Sequence, residues 1–373
     1  MAVNRANGMR EVIAAQSAVT WIDGRRGELR YRGYPIGELA ERCSYEQVAY
    51  LLWYGELPTA DAARDLSRSL RTFRLEREDL TDLLPSVPTS AHPLDILRYV
   101  VSWDALRNPL TLDNSAEANS AKAREFTAWF PTIVAAFHRL RHGLEPVAPR
   151  PDLDTAANFL FMLHGAEPSE VAVRTLDTSL ILHADHELNA STFAARVTIA
   201  TQSNLHAAIA SALGALAGPR HGGASEQIIR MLEKIEAPER VERYVSDEVA
   251  ARRRIMGFGH PVYKITDPRS RYLRDMAKKM LEGMPRNGWI AVLDELGTVM
   301  EQRLDLYPNV DFYAAVVNHE LGLDPAFYTS IFACSRIADW TAHAIEQLDG
   351  RLIRPTAEYI GQPPRSVNEQ VAV

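Results

Sequence analysis

Four stretches of the chain set ionisable side chains beside residues that bend or break the backbone. In Leu182-His183-Ala184-Asp185-His186-Glu187, two histidines stand three apart, a spacing that puts both on one helix face. Glu187 follows, so a metal site, a polar binding site and two structural histidines are all open readings. The spacing is not the His-Glu-x-x-His of zinc hydrolases, and no cysteine pair follows to complete a site. In Gly218-Pro219-Arg220-His221-Gly222-Gly223, the glycines would let a ligand or a second backbone come close. A helix with Ile228, Leu232 and Ile235 on one face follows. His221 is therefore expected near a helix start, where the dipole disfavours an imidazolium. An ordinary helix–helix turn is the plain alternative.

The third stretch is Met256-Gly257-Phe258-Gly259-His260-Pro261-Val262-Tyr263-Lys264, with Asp267-Pro268-Arg269 behind it. Gly257 and Gly259 free the backbone next to His260, and Lys264 and Arg269 bring positive charge, a combination that suits an anionic ligand and a histidine acid. The fourth begins at Tyr307-Pro308-Asn309-Val310-Asp311 and takes in Arg336 and Arg354. Asp311 stands where a helix should begin, so capping is its ordinary role. Arg336 lies inside an apolar helix, flanked by Cys334 and Ile337. Desolvating a guanidinium is costly, so a buried arginine needs an anionic partner from the protein or from a substrate. Arg354 comes after a glycine break, immediately before Pro355.

Helices must position these groups. Ser44-Tyr-Glu-Gln47 predicts a capping box ahead of Val48, Leu51 and Leu52, with Gly55 and Pro58 ending the helix. Asp324-Pro325 opens a helix that runs through Phe327, Ile331, Ile337 and Ile345 to Asp349-Gly350. Ile290, Leu293, Leu296 and Met300 recur at helical spacing before Pro308, and Leu205 to Ala217 reads as a closely packed core helix. The best strand signal is Glu28-Leu-Arg-Tyr-Arg-Gly. The expected fold is all-α with a small N-terminal hairpin, Pro-rich loops over 82–93 and 143–152, and a mobile terminus from Gly361.

Composition narrows the class. The 373 residues allow two or three domains, and 46% hydrophobic with 24% charged residues is the profile of a soluble globular protein. A net charge of −7 argues against a protein that coats nucleic acid. Two cysteines, Cys43 and Cys334, cannot form a disulfide framework and fit a reducing cytosol. No stretch resembles a signal peptide, and no apolar run approaches a membrane span. A cytoplasmic enzyme with no nucleic-acid or membrane partner is the expectation.

Taken together and in order, HADHELNAST, GPRHGGASE, MGFGHPVYKITDPR, YPNVDFYAAVV, FACSRIADWTAHAIEQ and RLIRPTAEYIG resemble the citrate synthase family. The N-terminal WIDGRRGELRYRGYPIGELAERCSYEQVAYLLWYGELPT is equally similar, so the resemblance spans roughly residues 18–361. It implies a mostly α-helical homodimer. Residues 1–222 and 323–373 would form a large domain and 223–322 a small one, with oxaloacetate and acetyl-CoA meeting in a cleft that closes around them. By the same resemblance Asp311 is the base, His221 donates to the thioester oxygen and His260 to the ketone oxygen of oxaloacetate. His186, Arg269 and Arg336 bind oxaloacetate, with Arg354 reaching in from the other subunit. The backbone of Arg254, Ile255, Met256, Gly257 and Phe258 lines the adenine side of the CoA site, and Lys264 approaches its phosphates. Acetyl-CoA is a co-substrate; no cofactor or metal is implied.

The sequence departs from the family pattern at Pro261, at Thr356 and in Ala224-Ser225-Glu226. Pro261 and Thr356 resemble the forms seen in 2-methylcitrate synthases, which take propionyl-CoA, so that enzyme is the alternative. A metal hydrolase built on His183, His186 and Glu187 and a non-catalytic helical scaffold are the readings from other classes. Neither gives Arg336 a substrate anion.

Overall fold

The computed structural model describes residues 12–222, 225–284, 286 and 288–365. It is helical nearly throughout, with sixteen α-helices and a single three-stranded sheet among the described residues. The predicted hairpin is part of that sheet: β1 (Thr20–Asp23), β2 (Glu28–Tyr31) and β3 (Tyr34–Pro35) pair antiparallel in chain order, with Thr20 opposite Tyr31 and Asp23 opposite Glu28. Leu29 and Tyr31 alternate inward along β2. The Tyr31 hydroxyl donates to the Asp185 carbonyl at 2.9 Å, which fastens the sheet to one of the candidate segments.

The capping signals hold. Ser44 Oγ accepts from Gln47 N, the Gln47 side chain accepts from Ser44 N, and Gly55 closes the helix Tyr45–Tyr54 in the left-handed region. Asp324 caps a short 3-10 turn, Pro325–Phe327, that runs straight into the helix Tyr328–Leu348. That helix is buried on almost every side, as expected of one apolar all round. It packs on the helices Tyr45–Tyr54, Ala116–Arg141, Ala190–Ile199 and Leu205–Leu216. Trp340 and Ile337 are wholly enclosed there, each worth about 1.5–3 kcal/mol of burial or more. The Tyr45 hydroxyl reaches the carbonyls of Cys334 and Ser335, both at 2.9 Å, and so fixes the turn that carries Arg336. A second group of helices, Ser225–Ile235, Ser270–Leu281, Gly288–Leu304 and Val310–Glu320, packs together and carries the 257–311 segments. Ile228, Leu232 and Ile235 are buried on the inner face of the first of these, as their spacing predicts.

Two expectations need correction. His183 and His186 do not share a helix face, because the helix Glu170–His183 ends at the first of them. Asp185 is the cause: its Oδ1 accepts from Glu187 N at 2.7 Å, and Glu187 turns to φ +54°. The helix after the Gly-rich turn begins only at Ser225, so His221 sits four residues before it, in the turn itself. Gly223 and Ala224, part of that motif, lie outside the described residues, as does the terminus beyond residue 365. No helix among the described residues is long and apolar enough to cross a membrane.

Candidate active site

Arg269 and Arg336 are almost wholly buried, each 1–2% exposed, and they differ in how their charge is met. Arg269 is held bidentate by Asp267, with Nε to Oδ1 at 2.9 Å and Nη2 to Oδ2 at 2.6 Å. That carboxylate raises the arginine's pKa in spite of burial. Arg336 donates Nε to the His183 carbonyl at 2.9 Å and lies over the Phe332 ring at 4.5 Å. The nearest carboxylate, Asp339, is 3.6 Å away, and burial depresses the guanidinium's pKa. Arg336 is thus a buried cation with a loose counter-ion, suited to a carboxylate brought in by a ligand.

Three histidines surround the arginines, and burial keeps all three neutral. His186 lies against His260, ring centroids 4.9 Å apart, and its Nε2 is 3.3 Å from the Tyr263 hydroxyl. Burial pushes its pKa well below the usual value, with Arg269 adding to the effect. His260 falls to about 4, by burial and then by Arg269. Its Nδ1 accepts from the backbone N–H groups of Val262 at 3.0 Å and Tyr263 at 3.2 Å. Backbone N–H groups only donate, so in the neutral ring the proton is on Nε2. His221 also falls to about 4, through burial and then the field of Arg336; the helix dipole invoked from sequence is not the cause. Its Nε2 accepts from Ser191 N at 3.2 Å, which places the proton on Nδ1. Trp340 Nε1 holds the Ser191 hydroxyl at 3.1 Å, so the buried helix Tyr328–Leu348 fixes this histidine as well.

Asp311 is not the helix cap. Asn309 takes that role for Val310–Glu320, its Oδ1 accepting from Asp311 N at 3.1 Å. The Asp311 carboxylate is released from capping and lines a small cavity with Ser179, His183, Asn318, Tyr328 and Phe332. Phe332 in turn carries Arg336. The Asp311 and His260 segments are bound to each other by their backbones. Asn309 N donates to Gly257 O and Gly259 N to Tyr307 O, both at 2.9 Å, and Phe258 bridges Pro308. Gly257 makes this possible: its φ is +86°, and a Cβ would stand 2.7 Å from the Phe312 ring. Gly222 has the same function in the His221 turn, where a Cβ would lie 2.5 Å from both Leu216 O and the Thr329 methyl.

The other expected site residues differ in their exposure. Arg254 and Lys264 are exposed, Ile255 and Met256 are half-buried, and Gly257 and Phe258 are buried. Arg354 is exposed in the irregular segment that follows Gly350. Sequence reasoning left three partners unassigned: Asp267, Tyr263 and the buried group Asp185, Asp339 and His343. Asp339 was visible as a carboxylate three residues after Arg336 on an apolar helix; Asp267 was visible two before Arg269. Among the described residues, Asp185, Asp339 and His343 are also the one set of His, Cys, Asp and Glu groups compact enough to hold a metal. His183, Glu187 and His186 do not form such a set. Two guanidinium groups, Arg336 beside Asp339 and Arg196 at 2.8 Å from His343, already supply positive charge to the buried set.

The cluster thus holds two buried arginines and two neutral imidazoles with fixed tautomers, and the helix Val310–Glu320, which carries Asp311, is tied by its start to the His260 segment. The comparisons place the chain more narrowly: it belongs to the citrate synthase family, a family of acyltransferases, with residues 8–356 matching "Citrate synthase, C-terminal domain". It is 42% identical to citrate synthase 2 of Bacillus subtilis, over 95% of each chain. It is 39% identical to 2-methylcitrate synthase of Mycobacterium tuberculosis, over 96% of this chain and 91% of that one. Among solved structures it resembles citrate synthase of Thermoplasma acidophilum, in a ternary complex with carboxymethyl coenzyme A and oxaloacetate. That match has a TM-score of 0.91 and 29% identity, covering 96% of this chain and 97% of that one.

Proposed function

We propose that the chain condenses acetyl-CoA with oxaloacetate and hydrolyses the citryl-CoA so formed to citrate and CoA, the step that admits acetyl units to the tricarboxylic acid cycle. The observation that carries this reading is the pair of histidines, each kept neutral by burial and each left with its single proton on a defined nitrogen. Asp311 removes a proton from the thioester methyl group. A carboxylate is a weak base for so weak an acid, so the developing enolate needs a donor at its oxygen. His221 Nδ1–H is that donor. The nucleophilic carbon then attacks the ketone of oxaloacetate while His260 Nε2–H supports the oxygen that gains charge. Arg269 and Arg336 hold the substrate carboxylates, with His186 beside them. Water cleaves the thioester, and its loss drives the reaction forward. Acetyl-CoA is consumed as a co-substrate, and no step calls on a metal or resident cofactor.

The large domain is 1–222 with 323–373 and the small domain 223–322, the substrates lying between them. The backbone from Arg254 to Phe258 takes the adenine side of CoA and Lys264 its phosphates. We place the enzyme in the cytoplasm as a homodimer, which accounts for the exposure of Leu352, Tyr359 and Ile360 at 57%, 79% and 90% beside Arg354. In that dimer Arg354 completes the partner's site. Co-expressed Arg354→Ala and Asp311→Asn subunits, each inactive alone, are expected to recover activity as verified heterodimers, because one site then carries both defects and the other neither. Heterodimers without activity would remove Arg354 from the shared site.

Acetyl-CoA is expected to be turned over better than propionyl-CoA, which should still react measurably. One methylene is worth only about 1–3 kcal/mol of discrimination in an apolar pocket. Pro261 and Thr356 adjoin residues given to oxaloacetate, so they are not expected to touch the acyl carbon. Steady-state kcat/KM for the two thioesters at saturating oxaloacetate tests this. A ratio favouring propionyl-CoA would make the enzyme a 2-methylcitrate synthase, with the catalytic assignments unchanged.

A further inference from the structure

The buried group behind Arg336 has more negative charge than its surroundings balance. Asp339 and His343 follow Arg336 by three and seven residues on one face of the helix Tyr328–Leu348, and all three are enclosed. His343 Nδ1 is 2.8 Å from Arg196 Nη1. A guanidinium can only donate, so Nδ1 accepts and the proton of the neutral ring is on Nε2, although, against its burial, Asp185 and Asp339 raise the imidazole's pKa. That single N–H donates to Asp185 Oδ2 at 3.2 Å, while Asp339 Oδ1, 3.3 Å from the same nitrogen, is buried without a hydrogen-bond partner. Asp185 has a backbone donor besides, Glu187 N, and the Tyr31 hydroxyl on its carbonyl. Asp339 has the Thr192 hydroxyl at 2.6 Å and, at 3.6 Å, Arg336. Arg196 is met by Glu346 at 2.6 Å and Arg269 by Asp267, and Arg32, which interacts with Asp185, also lies 4.0 Å from Glu346, so Arg336 at 3.6 Å is the cation that serves Asp339.

Two neighbouring buried carboxylates with one N–H donor between them cannot both ionise cheaply, and the one that lacks the donor keeps a proton. Burial and the neighbouring Asp185 push Asp339 up to about 8. A substrate carboxylate on Arg336 adds a further negative charge a few ångströms from Asp339 and takes over the guanidinium that was its counter-ion. We infer that Asp339 is a positioning residue that competes with oxaloacetate for Arg336, and that oxaloacetate binding is coupled to proton uptake by Asp339. In the free enzyme at alkaline pH, Asp339 is ionised and holds Arg336; with substrate bound it is neutral and releases the guanidinium to the ligand. The group therefore makes oxaloacetate affinity fall as pH rises through the free-enzyme pKa of Asp339. This inference rests on the proposed function, since it needs a carboxylate substrate on Arg336.

Titration calorimetry of oxaloacetate into the full-length enzyme, in buffers of different ionisation enthalpy, counts the protons. Near pH 8.5 we expect uptake approaching ~1 proton per site, and Kd should rise by up to about tenfold per pH unit above that point. Asp339→Asn mimics the neutral acid, because its amide is uncharged and can still accept from Thr192. It should bind with no uptake from this source and a nearly flat pH profile, more tightly than the wild type at pH 9, with kcat changed far less than KM. Oxaloacetate binding without proton exchange in the wild type, or uptake that persists undiminished in Asp339→Asn, overturns the inference and leaves the proposed function standing. If the wild type binds no oxaloacetate at any pH, the proposed function falls and this inference with it.

Discussion

Asp311→Asn is expected to lose ~10²–10⁴-fold in turnover, the usual cost of removing a general base, while oxaloacetate binding stays close to wild type. The amide keeps the shape of the side chain but cannot accept the methyl proton. Stability should be nearly unchanged as well. Asn309, not Asp311, supplies the cap of Val310–Glu320, so the substitution leaves the helix start intact. Turnover and calorimetric binding measured side by side separate the two effects. A variant that keeps more than about a tenth of wild-type activity would take the base role from Asp311.

Loss of Arg336 should be the second large effect, this time on binding. A charge-assisted hydrogen bond contributes about 1.5–3 kcal/mol, so Arg336→Gln is expected to weaken oxaloacetate binding by roughly 10–100-fold or more. Read from the sequence alone, replacing this arginine with leucine harms the apo fold far less than it weakens oxaloacetate binding, and can even raise the apo melting temperature by removing a buried charge. The contacts of Arg336 reverse that expectation. Its guanidinium serves the His183 carbonyl and stands 3.6 Å from the buried Asp339 carboxylate. Arg336→Leu leaves the His183 carbonyl without its donor and, at a pH where Asp339 is ionised, leaves that carboxylate without its cation; breaking a buried pair on one side typically costs about 3–5 kcal/mol. Arg336→Leu should therefore lower the melting temperature, and adding Asp339→Asn should recover part of the loss. Unchanged oxaloacetate affinity in Arg336→Gln would remove Arg336 from the substrate site.

What could be read from the sequence was what local chemistry determines. The capping box at Ser44, the stop at Gly55 and the Asp324-Pro325 start are each set within four residues, so they survive folding unchanged. The apolar run around Arg336 marked a buried helix, and a guanidinium within it marked a side chain in need of an anionic partner, for which the structure offers Asp339 at 3.6 Å. Features set by distant segments were misread. The break after His183 depends on Asp185, which is held from β2 by Tyr31. The neutrality of His221 comes from burial and then from the field of Arg336, 115 residues further along the chain, not from a helix start. Asp311 looked like a cap because helix starts favour aspartate, but the asparagine two residues earlier took the position first. The hydrogen bond from His343 to Asp185 joins residues 158 apart in the chain and sets Asp339 beside them, and no local pattern announces it.

The central claim is that one site joins the acetyl carbon to oxaloacetate. Its most direct test follows CoA thiol release from acetyl-CoA by the purified wild type, with citrate quantified in the same samples. The account predicts release only when oxaloacetate is present, with one thiol and one citrate formed for each oxaloacetate consumed. Thiol release that proceeds equally without oxaloacetate would make the protein a thioester hydrolase, and oxaloacetate consumption without citrate would contradict the condensation altogether.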